Sequence, residues 1–244
     1  MRWWPRSAKS ARCCSDAALR TLLAQNLPMT RAPLHFRPAT LADLDALIAL
    51  VTSAYRGDAS RIGWTTEADL LDGPRIAPEV LTHDIERPRS IVLIAECDEV
   101  PELASAPEPG ALATIRRMVS CAHVCDEDEA GYFGMFAVDP SKQSTGIGDA
   151  VLKECERIAA EEWRLPCMRM TVIDLREELI AWYERRGYRR TGQHKAFPYG
   201  DPRFGDPKRD DLRFEVLEKV LSPDAYAVGL ACADASPPDG SSPA

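Results

Sequence analysis

In the middle of the chain the spacing of apolar and polar residues changes from that of a strand to that of a helix. The segment 132–138 carries no charge and is rich in aromatic and apolar side chains, which at this length predicts a strand buried on both faces. Asp139 and Pro140 end that strand. Farther on, apolar residues recur at helical spacing between charged ones, at Ile147, Val151, Cys155, Ile158 and Ala159. The pattern therefore predicts a buried strand, a short loop and an amphipathic helix that runs to about Trp163.

The segments before this run predict a strand followed by helices and two more strands. Alternation at 34–37 predicts the first strand, and Thr40 can cap a helix with the apolar face Leu44, Leu47, Ile48 and Val51. Thr65 or Thr66 can cap a short helix in the same way. The patterns then predict a helix at 79–86 and strands at 90–97 and 111–121.

The segments after the run predict a strand, a helix and two final strands. Alternation at 167–173 places Met168, Met170 and Val172 on one face of a strand. A helix follows at 176–186, with Gly187 as its left-handed cap, and the last strands lie at 188–193 and 211–221. Together these elements predict a mixed α/β (α+β) domain.

The two ends of the chain have compositions that differ from this domain. Residues 1–28 are basic and serine-containing, as in a mitochondrial transit peptide or in a disordered extension upstream of a working start at Met29. Residues 222–244 are rich in Pro, Ser, Ala and Gly and predict a disordered tail. A loop is expected at 101–110. The domain is expected at 33–221, and the protein in the cytoplasm, or in mitochondria if the extension is a transit peptide.

Composition narrows the class of partner. The formal net charge of −8 argues against nonspecific nucleic-acid binding and favours cationic partners such as amines. No apolar run approaches the ~20 residues that span a bilayer, so a soluble protein is expected. Eight cysteines without a CxxC pair predict reduced thiols in an intracellular protein. Cys121, His123 and Cys125 lack a fourth ligand at zinc spacing, so we expect a hairpin loop there and no metal.

The loop between the central strand and its helix predicts a phosphate site. It reads Gln143-Ser144-Thr145-Gly146-Ile147-Gly148, with both glycines where the helix begins. Unpaired amides and the positive end of the helix dipole meet there, and glycine lets an anion approach. No Lys followed by Ser or Thr comes after the second glycine, and the three-glycine dinucleotide spacing is absent, so the P-loop and Rossmann fingerprints do not fit.

With a second motif, this loop resembles the GNAT superfamily of N-acetyltransferases. Gln143, Gly146 and Gly148 match the family's Gln/Arg-x-x-Gly-x-Gly/Ala loop, and Tyr183, Gly187 and Tyr188 match its later Tyr-x-x-x-Gly-aromatic motif. The resemblance extends from about residue 34 to about 221. It implies a central, mostly antiparallel, splayed sheet flanked by helices.

The resemblance also implies a cosubstrate, acetyl-CoA, and a place for it. The pyrophosphate would lie on the amides of Ser144, Thr145, Gly146, Ile147 and Gly148. Backbone groups of Phe136, Ala137 and Val138 would face the acetyl and pantetheine units. The chain departs from the family pattern twice: Ser144 and Thr145 stand where a basic residue is common, and Arg176 stands where many members have Asn.

Acetyl transfer to an amine also needs an acid, a base and an acceptor pocket. Tyr183 is the candidate acid, with a packing role as the alternative. The base candidates are Glu67, Asp174, His194 or a water chain, although an exposed acid at a helix start is the commoner explanation for a Glu such as Glu67. No nucleophilic cysteine is needed, and Cys155 is expected in the core. The acceptor wall is expected from the aromatic residues Trp64, Phe197, Tyr199 and Phe204.

These observations predict an N-acetyltransferase that moves acetyl from acetyl-CoA to a small primary amine by direct attack. Two alternatives stay open. One is a protein or peptide N-terminal acetyltransferase, and the other is a noncatalytic acyl-CoA-binding regulatory domain. A homodimer is possible.

Overall fold

A computed structural model describes residues 33–99 and 114–222. The predicted extension at 1–28, the loop at 101–110 and the tail from 223 onward lie outside these residues, so the predicted domain limits stay predictions. The strands are β1 (Leu34–Pro38), β2 (Leu71–Asp72), β3 (Ser90–Glu99), β4 (Ile115–Asp126), β5 (Gly131–Val138), β6 (Cys167–Ile173), β7 (Arg189–Ala196), β8 (Asp206–Pro207) and β9 (Arg213–Val220). The helices are α1 (Leu44–Tyr55), α2 (Gly57–Ser60), α3 (Pro78–Glu86), α4 (Ile147–Arg157) and α5 (Glu177–Glu184).

Seven of these strands form one sheet in the order β1-β3-β4-β5-β6-β9-β7. Every neighbouring pair is antiparallel except β5 and β6, which run parallel. The parallel pair matches at only two positions, Gly131 with Met168 and Tyr132 with Arg169. Beyond Tyr132 the two strands separate, so the sheet is splayed at its centre. This confirms the predicted fold class.

Helices cover both faces of the sheet and fill two cores. On one face α4 and α5 bury Val151, Leu152, Cys155 and Ile180 against β4, β5 and β6. On the other face α1 and α3 bury a second apolar cluster, Leu47, Leu50, Val51, Ala54 and Leu81. The predicted apolar faces of α1 and α4 are therefore the buried faces, with Leu44 and Ile48 half-buried at the margin of theirs.

The central strand β5 departs from the predicted strand buried on both faces. Met135 has a positive φ of 45°, and the pairing with β4 shifts register between Cys121 and His123. The irregular segment leaves Phe136 and Val138 half-buried, because β6 has already left their side. A β-bulge at this point turns backbone groups out of the ladder. The Tyr55 hydroxyl donates a hydrogen bond to one of them, the Phe136 carbonyl.

Three other predictions about elements are corrected. Thr65 and Thr66 start no helix: residues 68–70 form a turn, and β2 pairs with β8 instead, with Leu71 opposite Pro207. Cys121, His123 and Cys125 lie inside the long strand β4 and not in a hairpin loop. Burial raises the pKa of Cys121 to about 12 and that of Cys125 to about 11. Finally, the helix predicted to run to about Trp163 is α-helical only to Arg157, and the chain then forms a π-helical turn from Ile158 to Glu162.

Two kinds of feature are absent from the described residues. None of the helices in residues 33–99 and 114–222 is long and apolar enough to cross a membrane. The same residues contain no group of three or more His, Cys, Asp or Glu side chains that could hold a metal ion.

Candidate active site

The first cavity opens where β5 ends and α4 begins, and it has a volume of about 580 Å³. The glycine loop forms one wall and α5 forms the opposite wall. Six of the nine residues predicted to hold acetyl-CoA line this cavity: Phe136, Val138, Gln143, Ser144, Gly146 and Gly148. We call it the donor cavity.

The glycine loop presents the start of a helix to the donor cavity. Gly146 is left-handed, with a φ of 82°, and caps α4, and Ser144 has a φ of 63°. The Ala150 amide donates to the Gly146 carbonyl over 3.3 Å, so the amides of Ile147 and Gly148 precede the first helical bond and have no partner within the helix. The loop is therefore suited to an anion.

Gly148 also lies close to two aromatic rings. A Cβ at this position would lie 3.0 Å from the Phe136 ring and 3.6 Å from the Trp182 ring. Both rings are half-buried walls of the donor cavity, and their centroids are 6.0 Å apart. The second glycine thus lets the helix start approach the aromatic wall closely.

Gln143 fixes the neighbouring chain rather than pointing at the helix start. Its Oε1 accepts from the Trp64 amide at 2.9 Å, and its Nε2 donates to Thr65 Oγ1 at 2.9 Å and to the Val138 carbonyl at 3.3 Å. Gly63 gives this side chain room, since a Cβ there would lie 2.6 Å from Gln143 Oε1. The loop predicted to bind the donor therefore also positions the segment around Trp64.

Sequence reasoning missed the cationic side chains of the donor cavity. Lys142, Arg185 and Arg186 line it, with Lys142 paired to Glu99 at 2.8 Å and Arg186 paired to Asp149 at 3.0 Å. Arg185 is exposed and has no ion pair within the described part of the chain. These residues supply positive charge that Ser144 and Thr145 lack. The two arginines lie inside the second motif, between its tyrosine and its glycine. That position could have indicated from the sequence that they lie near the donor cavity.

Trp64 is placed differently from the prediction. It lines the donor cavity, 39% exposed, with its ring 6.4 Å from Trp182. Trp182 in turn stacks under the guanidinium of Arg186, 3.4 Å from its centroid. Trp64 thus belongs to the aromatic wall on the donor side and not to the acceptor wall.

A second cavity of about 400 Å³ lies on the other side of the splayed strands. Its walls come from β4, β5 and β6, from the segment after α1 and from the loop after β7. The two cavities share four residues, Tyr55, Phe136, Leu179 and Tyr183. We call the second one the acceptor cavity, because part of the predicted acceptor wall lines it.

A small two-stranded sheet borders the acceptor cavity, which is lined by Leu71 of β2. It joins β2 to β8 and so ties the segment after α1 to the loop after β7. Lys208 reinforces the link, donating through Nζ to the Ala68 carbonyl at 2.7 Å and pairing with Asp72 at 2.9 Å. Gly205, at φ 83°, approaches the Asp72 carbonyl so closely that a Cβ would lie 2.4 Å from that oxygen. We call this two-stranded sheet the β2–β8 roof.

Glu67 lies buried in the acceptor cavity, 4% exposed, and is surrounded by arginines. Its carboxylate contacts Arg56 at 2.7 Å, Arg176 at 2.9 Å and Arg75 at 3.4 Å. Burial alone raises the pKa of Glu67, but the attraction of Arg75, Arg176 and Arg56 outweighs it and leaves that pKa below its ordinary value. The interpretation of Glu67 as an exposed acid at a helix start is wrong, because this segment folds inward under the roof.

The two tyrosines of the shared wall are protonated. Tyr183 is 4% exposed, and burial raises its pKa well above the ordinary value of a phenol. Burial likewise raises the pKa of Tyr55, against the attraction of Arg75 and Arg176. Tyr55 already donates to Phe136, so the Tyr183 hydroxyl is the one that stays available at the junction of the cavities.

The remaining predicted residues divide by position. Phe197 and Phe204, two residues of the predicted acceptor wall, line the acceptor cavity. Tyr199 lines neither cavity, and its hydroxyl accepts from the Leu212 amide at 2.6 Å. Asp174 and His194 are also outside both cavities, paired with Arg213 and with Glu215.

Three predicted donor contacts have side chains turned elsewhere. Ala137 and Ile147 are buried in the two cores, and Thr145 Oγ1 donates to the Lys142 carbonyl at 2.6 Å. Cys155 is fully buried, and burial raises its pKa far above the ordinary thiol value, so it is packing as expected.

Comparisons with known proteins agree with this geometry. The family model of the acetyltransferase (GNAT) domain matches residues 89–190, from just before β3 into β7. No curated protein sequence matches the chain significantly. The matched region contains the glycine loop, α4 and α5, whereas Arg56, Glu67, Arg75 and Phe197 fall outside it.

Solved structures show the same fold at low sequence identity. The ribosomal-protein-S18-alanine N-acetyltransferase from Escherichia coli has a TM-score of 0.51 at 14% identity, covering 78% of this chain and 95% of that chain. A putative phosphinothricin N-acetyltransferase has a TM-score of 0.50 at 16% identity, covering 78% and 99%. A spermidine N-acetyltransferase chimera from Vibrio cholerae and hSSAT has a TM-score of 0.50 at 12% identity, covering 77% and 95%. Residues 89–190 thus match an acetyltransferase (GNAT) domain, and the described part of the chain has the fold of solved N-acetyltransferases.

Proposed function

We propose that this enzyme transfers the acetyl group of acetyl-CoA to the primary amine of a small molecule by direct attack. The observation that carries the proposal is the wall shared by the two cavities, formed by Tyr55, Phe136, Leu179 and Tyr183. A donor on one side and an amine on the other meet only there. The amine side has a volume of about 400 Å³, the size of a small-molecule pocket, which favours a small acceptor over a protein chain.

The donor cavity has the groups that acetyl-CoA needs. The first amides of α4 and the side chains of Lys142, Arg185 and Arg186 offer hydrogen bonds and positive charge to the phosphates. The separation of β5 from β6 leaves main-chain groups beside Phe136 and Val138 for the amides of the pantetheine arm. The half-buried rings of Phe136 and Trp182 exclude water from the thioester.

Tyr183 serves as the acid. As the nitrogen–carbon bond forms and the carbon–sulfur bond breaks, its hydroxyl gives a proton to the departing sulfur and later regains one from solvent. Its raised pKa keeps it protonated through neutral pH. Loss of such a proton donor reduces the rate by about 100-fold to 10,000-fold.

The amine must lose a proton before or during attack, and water in the acceptor cavity takes it. Glu67 is the one predicted base that lines this cavity, and its three arginines make it a weak proton acceptor. Asp174 and His194 lie outside both cavities. A water chain is thus the remaining candidate among those the sequence offered.

The test is thiol release from acetyl-CoA with a panel of amino acids, other small amines and short peptides. We expect release with small amines, and a fall of about 100-fold or more in kcat for Tyr183→Phe. Tyr199→Phe, which removes a hydroxyl outside both cavities, is the matched control and should keep its turnover.

Other outcomes would redirect the assignment. Release only with peptides would favour a protein acceptor. Binding of acetyl-CoA without release from any amine would favour a regulatory domain. Full activity of Tyr183→Phe would remove the acid role and leave Tyr183 as packing.

A further inference from the structure

The acceptor cavity has an excess of positive charge. Three guanidinium groups, those of Arg56, Arg75 and Arg176, surround the single carboxylate of Glu67. We call these four residues the arginine cluster. Its formal charge is 3 − 1 = +2, and Arg56, Glu67 and Arg176 are largely buried, so water screens this charge weakly.

The other charged groups of the cavity do not offset this excess. Arg87 and Arg203 carry two positive charges, and Asp84 and Glu127 carry two negative charges. Two of these four groups also have nearby partners. Arg87 donates to the Asp126 carbonyl at 3.0 Å, and Asp84 lies 3.6 Å from His123. The field that an acceptor meets is therefore set by the arginine cluster.

The cluster has hydrogen-bond donors that no described residue satisfies. Arg56 is only 7% exposed, yet its Nε and Nη2 are buried without a hydrogen-bond partner. Arg75 Nε is buried and makes an ion pair with Glu67 at 3.4 Å but no hydrogen bond, and the Arg75 guanidinium donates no hydrogen bond to any other residue in 33–99 or 114–222. Buried donors without partners destabilise a protein unless a ligand or water accepts from them.

The cluster is close to the passage between the cavities. The guanidinium carbons of Arg75 and Arg176 lie 5.0 and 5.7 Å from the centroid of the Tyr55 ring. Tyr55 belongs to both cavities. A small molecule whose anionic group is bound by Arg75 can therefore extend along one ring to the shared wall, which is a span of a few bonds.

We propose, resting on the function above, that the acceptor is an anionic amine: a small molecule with a carboxylate or phosphonate group a few bonds from its primary amine. The guanidinium groups of the arginine cluster bind the anionic oxygens and orient the amine toward Tyr183. A polycationic amine would meet repulsion at the same position. The chain's overall charge of −8 acts on encounter, whereas the local charge decides which molecule binds.

Matched pairs of amines test this. Thiol release from acetyl-CoA is measured with full-length protein for amino acids, for the corresponding carboxamides and decarboxylated amines, and for aminoalkylphosphonates. We expect kcat/KM at least tenfold higher for the anionic member of a pair. The phosphonates distinguish the two kinds of anion. Equal or better turnover of the amide, the simple amine or spermidine overturns the inference while leaving acetyl transfer to amines intact.

Variants of Arg75 test the residue assignment. Arg75→Gln should raise KM for an anionic acceptor about tenfold and leave KM for acetyl-CoA and for the matching amide unchanged, while Arg75→Lys should restore part of the loss. Arg209→Gln removes a guanidinium that lines neither cavity and is paired with Asp211 at 2.6 Å, and it is the control. An equal rise in KM for acid and amide would mean a merely structural role.

Binding decides the matter if no amine releases thiol. In that case the proposed function fails, and the thermal shift produced by the amino acids is compared with that of their amides. A larger shift with the anionic member, lost in Arg75→Gln, supports the cluster as an anion site. Equal shifts overturn it.

Discussion

At the scale of single residues, Glu67 shows how a buried charge can be structural in an active-site cavity. Its carboxylate satisfies parts of three guanidinium groups that would otherwise repel one another inside the protein. Arg176 also donates to the Thr65 carbonyl at 2.6 Å, so the same ion pairs fix the segment under the roof. The folded state therefore depends on this carboxylate.

We predict that Glu67→Gln destabilises the fold by about 3–5 kcal/mol, because removing one member of a buried ion pair leaves the other charges uncompensated. Urea unfolding followed by circular dichroism measures this. Glu79→Gln, at an exposed acid in the first turn of α3, is the control and should change the free energy of unfolding by less than about 0.5 kcal/mol. Equal stability of the two variants would contradict the role given to Glu67.

The sequence predicts some of these residues and not others, for a physical reason. The glycine loop and Tyr183 follow from local patterns, since a helix start and its apolar face are set by residues a few positions apart. The contact between Arg176 and Glu67 joins residues 109 positions apart, and no periodicity reports it. For the same reason Trp64 lies on the donor side and not on the predicted acceptor side: its position depends on Gln143, which is 79 residues away.

At the scale of elements, local signals predict the strands and helices of the sheet but not the β2–β8 roof. Each strand of the roof is two residues long, too short for alternation to be seen, and the pairing exists only because two distant loops meet. The predicted helix near Thr65 gives way to this pairing. Propensity is a weak prior where such long-range contacts compete with it.

We predict that Gly205→Ala loosens the roof. An alanine there would adopt an unfavourable φ of 83° and would place its Cβ against the Asp72 carbonyl. KM for the amine should rise about tenfold, with KM for acetyl-CoA unchanged, because the donor cavity does not include the roof. Steady-state kinetics with each substrate varied measures the split.

Gly200→Ala provides the control for backbone strain. Gly200 has the same φ of 83°, and a Cβ at that position would meet no atom of the described residues within 4 Å. If both variants raise KM for the amine equally, strain in the loop rather than the contact with Asp72 explains the effect.

At the scale of the whole molecule, β4 carries a buried histidine whose protonation is linked to folding. His123 lies among Asp84, Arg87 and His83, with Nε2 2.9 Å from Ser90 Oγ and Nδ1 3.6 Å from Asp84. Burial lowers the pKa of His123, and Arg87 and His83 act in the same direction, against the attraction of Asp84. The unfolded chain therefore takes up this proton first as the pH falls.

We predict that the free energy of unfolding falls as the pH drops below about 6.5, because below the ordinary histidine pKa the unfolded state binds the proton and the folded state does not. His123→Gln keeps a hydrogen-bonding group near Ser90 and cannot titrate, so its stability should change less over this window. Chemical unfolding at several pH values gives both curves. Parallel curves would exclude His123 as the source.

The family match covers residues 89–190 and therefore only some of the residues that line the two cavities. The donor loop and Tyr183 lie inside that region. The arginine cluster draws Arg56, Glu67 and Arg75 from outside it, together with Arg176 from inside it. On the proposed function, the parts that bind the donor and the parts that choose an acceptor are thus largely separate along the chain.

The short pairing of β5 with β6 sets stability and activity in opposition. Each residue added to that parallel ladder would gain hydrogen bonds and close the passage at Phe136. Substitutions that stabilise this junction would close the gap between the two strands, whereas the proposed reaction needs the gap to stay open. Stabilising substitutions should therefore be sought away from this junction, on β1 and β7, which form the two edges of the sheet.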